Sequence, residues 1–292
     1  MFIQTVRANL KKTIKETLFD ITTRMQTDTK QFHFNKITDT SILDPLKFEW
    51  QKSLTAPQDG MWEVLTDYAN HWEVKDENQT IGYACVDDDN RLLQFFVLPH
   101  WMQEGVSIFQ QFIDQEEIKK GLIGTNNPFC LSMTMHFQKA VEVNTYLFTD
   151  FFEVKTVEKE GVLRLAAEED LEKLVDFCHK SMGGPKEWLN GYLGNLIARG
   201  EIFALEDGEE IPGTCEVRKS ESDSAVADVG VVVSSEHRRK GLGTFLLGKA
   251  KEITLQWNRQ PICSCEKDNI GSLKSIQNNG FRSVHQMLLM EF

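Results

Sequence analysis

Along the second half of the chain, the apolar residues change period in a definite order. Val162-Leu163-Arg164-Leu165-Ala166 reads as a strand, and Glu168-Glu169-Asp170 then opens a helix with Leu171, Leu174, Val175 and Cys178 on one face. Acidic residues in a first turn suit the helix dipole. Gly183-Gly184-Pro185 breaks this helix, and a second one carries Trp188, Tyr192, Leu196 and Ile197 to Gly200. Three β-branched or aromatic runs follow at 202–205, 213–217 and 226–233, separated by turn residues such as Asp207-Gly208. Then comes a long amphipathic helix through Leu242, Phe245, Leu246, Ala250, Ile253 and Trp257. A strand at 262–265, a helix over 269–279 stopped by Gly280, and a final strand pair complete the prediction.

The first half repeats the tail of this order with different residues. Strands are predicted at 71–74, 81–86 and 92–98, then a helix at 106–113, a strand at 122–124, a helix at 128–136 and a strand at 141–148. Each half therefore reads strand, strand, strand, helix, strand, helix, strand. That order suggests an internal duplication, although many α+β domains share such a run. Between the halves, a charged segment from Phe151 ends in Gly161, which places the domain boundary so that residues 1–160 and 161–292 form separate units. At the amino end, Phe2, Ile3, Val6, Leu10, Ile14 and Leu18 recur at helical spacing with basic residues on the polar side. Glu16 and Asp20 follow directly, which favours a helix docked on its own domain over a membrane-surface helix or a transit peptide.

Composition adds limits. The 292 residues, 41% hydrophobic with only 7 Pro, suffice for two globular domains with ample core. A net charge of −12 argues against nucleic acid as a partner, because phosphate neutralisation needs clustered Lys and Arg. Both halves are acidic, so charge does not separate their roles. No apolar run approaches 18 residues and no signal peptide is evident, so a cytoplasmic protein with no membrane partner is expected. The six cysteines lack metal-ligand spacing, so no metal is expected, and reduced thiols fit the same compartment. Cys263 and Cys265 alternate along a strand, which reads as two half-buried thiols more readily than as a nucleophile or a redox pair.

The local exception to the acidic balance is Arg238-Arg239-Lys240-Gly241-Leu242-Gly243-Thr244, between the strand ending at Val233 and the long helix. A Gly-rich turn from strand into helix aims several backbone N–H groups at one spot and adds the positive end of the helix dipole. Three cations beside it complete an anion site. The Walker pattern is absent, since no Gly-Lys-Ser/Thr follows, and the third glycine of the dinucleotide fingerprint is missing.

This stretch resembles the acetyl-CoA-binding motif of the GNAT-type N-acetyltransferases, Gln/Arg-x-x-Gly-x-Gly/Ala, here Arg238-x-x-Gly241-x-Gly243. The segment from Asn269 through Ser272 to Gly280-Phe281 is similar to the family's Asn-x-x-Ala/Ser helix closed by Gly-Phe. The resemblance covers 162–292. It implies an α+β fold of tandem GNAT-like domains, each a mostly antiparallel mixed sheet flanked by helices, with the fourth and fifth strands splaying apart around the cofactor. It further implies acetyl-CoA as co-substrate, with backbone groups of Val231 and Val233 on the pantetheine arm and acetyl carbonyl. The loop Arg238, Arg239, Lys240, Gly241, Leu242, Gly243 and Thr244 would hold the pyrophosphate, and Asn269 and Ser272 would line the far side.

The implied reaction is direct attack by a primary amine, on a small molecule or a protein, at the thioester carbonyl. For the base, Asp228 and Glu216 are the candidates. In the family a carboxylate on this strand falls at the positions of Ala227 or Val229, whereas Asp228 has the opposite alternation and would need a bulge to reach them. Many relatives place a proton-donating Tyr where this chain has Ile276, which leaves Ser272, Ser275, a water, or an uncompensated thiolate. A non-catalytic acyl-CoA-binding protein is the competing reading. In the first half, Pro99-His100-Trp101-Met102-Gln103-Glu104-Gly105 stands where a phosphate loop would be and lacks its glycines and cations. That half reads as a degenerate GNAT-like domain, which would wall the acceptor pocket, mediate association (a homodimer is allowed) or serve only as a structural partner.

Overall fold

A computed structural model describes residues 30–292 except 157 and 209, so the helix expected over residues 2–18 lies outside the described residues. The first half contains β1 (His33–Ile37), α1 (Asp44–Lys52), α2 (Gly60–Asp67), β2 (Asn70–Asp76), β3 (Gln79–Val86) and β4 (Arg91–Val97). It continues through α3 (Gly105–Gln115), β5 (Lys120–Gly124), α4 (Pro128–Phe137) and β6 (Ala140–Asp150). The second half runs β7 (Val162–Leu165), α5 (Leu171–Met182), α6 (Lys186–Arg199), β8 (Ile202–Asp207), β9 (Glu210–Lys219) and β10 (Val226–Val233). It ends with α7 (Leu242–Gln256), β11 (Gln260–Glu266), α8 (Ile270–Asn278) and β12 (Phe281–Glu291). The two halves thus share one order of elements, a mixed and mostly antiparallel α+β arrangement given twice. Among the described residues no helix is long and apolar enough to cross a membrane.

The sheet, however, is continuous: β1-β2-β3-β4-β5-β12-β6-β11-β10-β9-β8-β7. The two last strands have changed places. β6 from the first half pairs antiparallel with β11 of the second, and β12 from the second half pairs antiparallel with β5 of the first. They also pair with each other over most of their length. The expected final strand pair is instead this one long strand, β12, with register shifts at Ser283/His285 and Met287/Leu288. Bulges of this kind let a single strand bend and keep pairing on both sides.

Helices cover both faces. In the first half, Leu92, Phe95 and Val97 of β4 pack on Ile108, Phe109 and Phe112 of α3, while Leu43, Leu46 and Trp50 pack under Tyr83 and Phe96 on the other face. In the second half, Ala227 and Val229 of β10 pack on Phe245 and Leu246 of α7, and α5 and α6 cover Ile202 and Ala204. Burying these alternating apolar positions supplies the main driving force for closing the layers.

A buried cation ties the crossing together. Lys251 of α7 is 5% exposed, and its Nζ donates to Asp150 Oδ1 (2.6 Å), the Phe152 carbonyl (2.8 Å) and the Asn279 carbonyl (2.9 Å). These are the end of β6, the chain leaving it, and the turn into β12. Three acceptors exhaust the donors of one ammonium, which is what makes burying it tolerable. At the same turn Gly280 has φ +87°, and a Cβ there would stand 2.2 Å from the Phe152 carbonyl oxygen. Replacing Lys251 by Met should leave Asp150 and two carbonyls unpaired and destabilise the protein by about 3 kcal/mol or more. The urea midpoint of Lys251→Met checks this; an unchanged midpoint would show that the ammonium is not needed at the crossing.

Candidate active site

β10 and β11 are parallel neighbours only where Val226–Asp228 face 260–262. Beyond that point they diverge, because β11 follows β6 while β10 stays with β9. The result is the expected fork, walled on one side by residues 229–233. Val231 and Val233 line it half-buried and pack toward α7. The first half forks in the same way, with β4 and β5 paired only at 91–92 and 120–121. Its mouth is closed by side chains. A Cβ on Gly105 would lie 3.0 Å from the Phe129 ring and 3.1 Å from the Met133 sulfur, and Glu104 precedes the first turn of α3.

At the open mouth of the second fork, Arg239 (φ +61°) and Gly241 (φ +81°) both adopt left-handed backbone. These two positions turn the chain sharply into α7, whose first turn has no side-chain cap. Its leading N–H groups are therefore free of competition from a capping oxygen. Arg239 and Lys240 are exposed, whereas Arg238 reaches back, donating from Nε to the Val233 carbonyl (3.2 Å) and from a terminal nitrogen to the Ser181 carbonyl (2.5 Å). A cation unnoticed in the sequence joins them: Lys159 Nζ from the segment between the halves lies 3.5 Å from where a Gly241 Cβ would be. Gly243 has a different reason to be bare, since a Cβ there would stand 3.2 Å from Ser275 Oγ of α8. Leu242 is buried, and Thr244 Oγ1 lies 3.4 Å from the same Ser275 hydroxyl.

On the far side of the fork, Asn269 Oδ1 accepts from the Ser272 N–H at 3.1 Å and caps α8. Asn127 caps α4 in the same manner by accepting from the Cys130 N–H. Ser272 stands near enough to Cys265 to oppose the rise that burial gives its thiol pKa. Cys263 and Cys265 are both buried, and burial raises both thiol pKa values. His237 and His285 engage Ser234 and Thr125 instead. Among the described residues no group of three or more His, Cys, Asp or Glu is placed to hold a metal.

The two carboxylates stand on the sheet face opposite α7. Pairing of β10 with β9 is unbroken from Ala227 to Val233, so no bulge brings Asp228 round to the α7 side. Ser272, on α8, belongs to that other side. The structure therefore brings Asp228 and Glu216 together and leaves Ser272 apart. Glu216 sits across from Gly230, just past the point of the fork, and accepts a hydrogen bond from the Tyr192 hydroxyl at 2.5 Å. Arg218 lies between the two acids, with its Nε 3.5 Å from Glu216 Oε2 and a terminal nitrogen 3.4 Å from the Tyr192 hydroxyl. Burial opposes the Arg218 charge, but Glu216, Tyr192 and Asp228 outweigh it. Burial and the adjacent Glu216 raise the Tyr192 pKa.

Asp228 is 1% exposed and accepts from the Gly60 N–H at 3.0 Å, at the start of α2 in the other half. Burial, then the neighbouring Asp59 carboxylate, push its pKa up to about 7. Tyr192, Arg218 and the Asp59-Gly60 cap were missed in the sequence. In the sequence Tyr192 counts only as an apolar helix position, although a buried Tyr hydroxyl needs a partner, which is the available signal.

A carboxyl whose pKa is raised in the folded state stabilises most below its unfolded value and loses that contribution as pH rises through the folded value. Asp228 should therefore cost stability progressively between about pH 4 and pH 7. Asp228→Asn keeps an acceptor for Gly60 but cannot ionise. Relative to the parent, it should gain stability between pH 5 and pH 8 in urea titrations, and a pH-independent difference would contradict the raised pKa.

Two family models match the chain. One described as an acetyltransferase (GNAT) domain matches residues 39–151, and one described as the acetyltransferase (GNAT) family matches residues 163–281. A solved acetyltransferase from the GNAT family of Colwellia psychrerythraea is similar, with TM-score 0.84 and 26% identity, covering 89% of this chain and 99% of that one. A GCN5-related N-acetyltransferase from Sphaerobacter thermophilus shares the fold, with TM-score 0.61 and 13% identity, over 89% of this chain and 95% of that one. So does a tandem GNAT protein from the clavulanic acid biosynthesis pathway, with TM-score 0.58 and 15% identity, over 89% and 98%. Comparison with curated proteins gave no match.

Proposed function

The chain belongs to the GNAT acetyltransferase family, with one family domain in each half, and from that premise we propose that it transfers an acetyl group from acetyl-CoA to a primary amine at the fork of the second half. Acetyl transfer is the activity of the family. The finer assignment rests on one observation: only the second fork opens onto a left-handed, cation-rich loop at an uncapped helix start.

In this reading the Arg238–Thr244 loop holds the pyrophosphate, with Lys159 adding charge, and backbone groups of Val231 and Val233 bind the pantetheine arm and acetyl carbonyl. Asn269 and Ser272 line the far wall. The anion gains from N–H groups that no side chain occupies and from the helix dipole.

The amine must reach the thioester uncharged. Glu216 is the better base, because it is the less buried of the two acids and lies beside Gly230, where no side chain separates it from the fork. It takes a proton from the ammonium, the amine nitrogen bonds to the acetyl carbon, and the carbon–sulfur bond breaks. The nitrogen, cationic once bonded, gives its second proton to the departing thiolate, with water or the Ser272 hydroxyl as relay, which leaves the neutral amide and the free thiol. Tyr192 and Arg218 fix the Glu216 carboxylate, and Asp228 acts through Arg218 as a positioning residue. The acceptor is a small-molecule amine or a protein amino group. Residues 1–160 form the half that supports the site, through Gly60 on Asp228, and residues 161–292 form the half that binds acetyl-CoA.

Two variants test this. Gly241→Glu places a side chain and a negative charge in a left-handed turn, so calorimetry should show loss of acetyl-CoA binding; retained binding would sink the cofactor assignment. Glu216→Gln should lower kcat by about 10²-fold with little change in KM for acetyl-CoA. Full activity in that variant would move the base elsewhere.

A further inference from the structure

We propose that the acceptor at the second fork is a primary amine joined by a short chain to a flat unsaturated ring, and that Trp188 selects it. This rests on the transferase reading above and adds the class of amine. Trp188 and Tyr192 lie one turn apart on α6 and stack, with ring centres 5.0 Å apart and planes 9° from parallel. The Tyr192 hydroxyl donates to Glu216 at 2.5 Å, so the Trp188 ring lies about 10 Å or less from that carboxylate. Tyr192 is thus the inner ring of the pair and Trp188 the outer one.

Hydrogen bonds at the two ends of α6 give its direction along the fork. Just ahead of its start, the Ser181 carbonyl accepts from Arg238 of the phosphate loop at 2.5 Å. At its other end, Arg199 donates to the Lys219 carbonyl at 3.0 Å, where β9 finishes. The helix therefore runs from the mouth of the fork back along β9. Trp188 stands between that mouth and Glu216, on the same side of the sheet as Glu216 and away from α7.

The outer side of Trp188 is open. One face rests on Tyr192, yet the residue is 45% exposed. The turn ahead of α6 is Gly183-Gly184, with φ of +83° and +90°, and it carries no side chain to cover the indole. A Cβ on Gly183 would meet nothing within 4 Å. Met182, at the far side of that turn, is also exposed. A ring laid on the open indole face continues a stack that Tyr192 begins, with a thioether close by. The inner end has the opposite character. Glu216, Asp228 and Asp59 surround Arg218 there, a balance that favours an ammonium. A chain of about two to four carbons joins a ring on Trp188 to a nitrogen at Glu216.

The test measures thiol release by the full chain at saturating acetyl-CoA. It compares 3-phenylpropylamine with its saturated twin, 3-cyclohexylpropylamine, and with 1,4-diaminobutane. The phenyl amine should exceed the cyclohexyl amine in kcat/KM by about fivefold or more, although the saturated ring is the more apolar. Trp188→Leu, at an exposed position, should erase this preference through a raised KM, and Trp188→Phe should keep most of it. Equal kcat/KM for the two ring amines, a preference for the diamine, or an undiminished phenyl preference in Trp188→Leu would overturn the proposal and leave the transferase reading standing. If no amine is turned over, calorimetric titration of the same amines into the CoA-saturated protein decides. Binding of 3-phenylpropylamine that is lost in Trp188→Leu would uphold the ring site while the transferase reading falls, and no binding would overturn both.

Discussion

The exchange of β6 and β12 is the constraint on which the rest of the molecule depends. A strand edge left unpaired exposes a row of backbone donors and acceptors. Here the edges of β5 and β11 are each covered by a strand from the other half. One sheet of twelve strands results instead of two of six, and the halves cannot rotate independently. The fork of each half is a consequence of the same exchange. β11 is drawn toward β6 and β5 toward β12, so each pulls away from the parallel neighbour it meets for only two or three residues.

Rigid joining also explains the electrostatics beside the second fork. Gly60 and Asp59 begin a helix of the first half, yet they set the surroundings of Asp228 in the second. From there the charges alternate through Arg218 to Glu216 and end on the Tyr192 hydroxyl. An arrangement of this kind keeps its geometry only if both halves hold still. A half whose own fork is filled by Phe129 and Met133 therefore still bears on the chemistry of its neighbour.

Much of this was legible from residue order. Period changes located the strands and helices of the second half and those of the first from β2 onward, whereas β1, α1 and α2 were not anticipated; the Gly241 turn marked the open fork because glycine with neighbouring cations has a direct physical reading. The exchange was not legible, since β6 and β12 look alike as apolar strands and nothing local says which neighbour each will choose. The expected final strand pair is one strand, since β12 runs unbroken over Phe281–Glu291 and takes up its irregularities as register shifts at Ser283/His285 and Met287/Leu288, with Val284 exposed at the first. Lys159 and Tyr192 were missed because their roles depend on contacts distant in sequence. Gly243 was noticed for phosphate approach, and its observed neighbour is Ser275.

The crossing at Lys251 and Gly280 has one more consequence. Covalent continuity and mechanical cohesion have been assigned to different parts of the chain. The dovetailed strands carry the load between the halves, while the segment after β6 conveys the backbone across and is itself pinned to the second half, its Phe152 carbonyl accepting from Lys251 and its Glu158 pairing with Lys249. Pinned in this way along α7, the connecting residues deliver Lys159 to the start of the same helix, at Gly241.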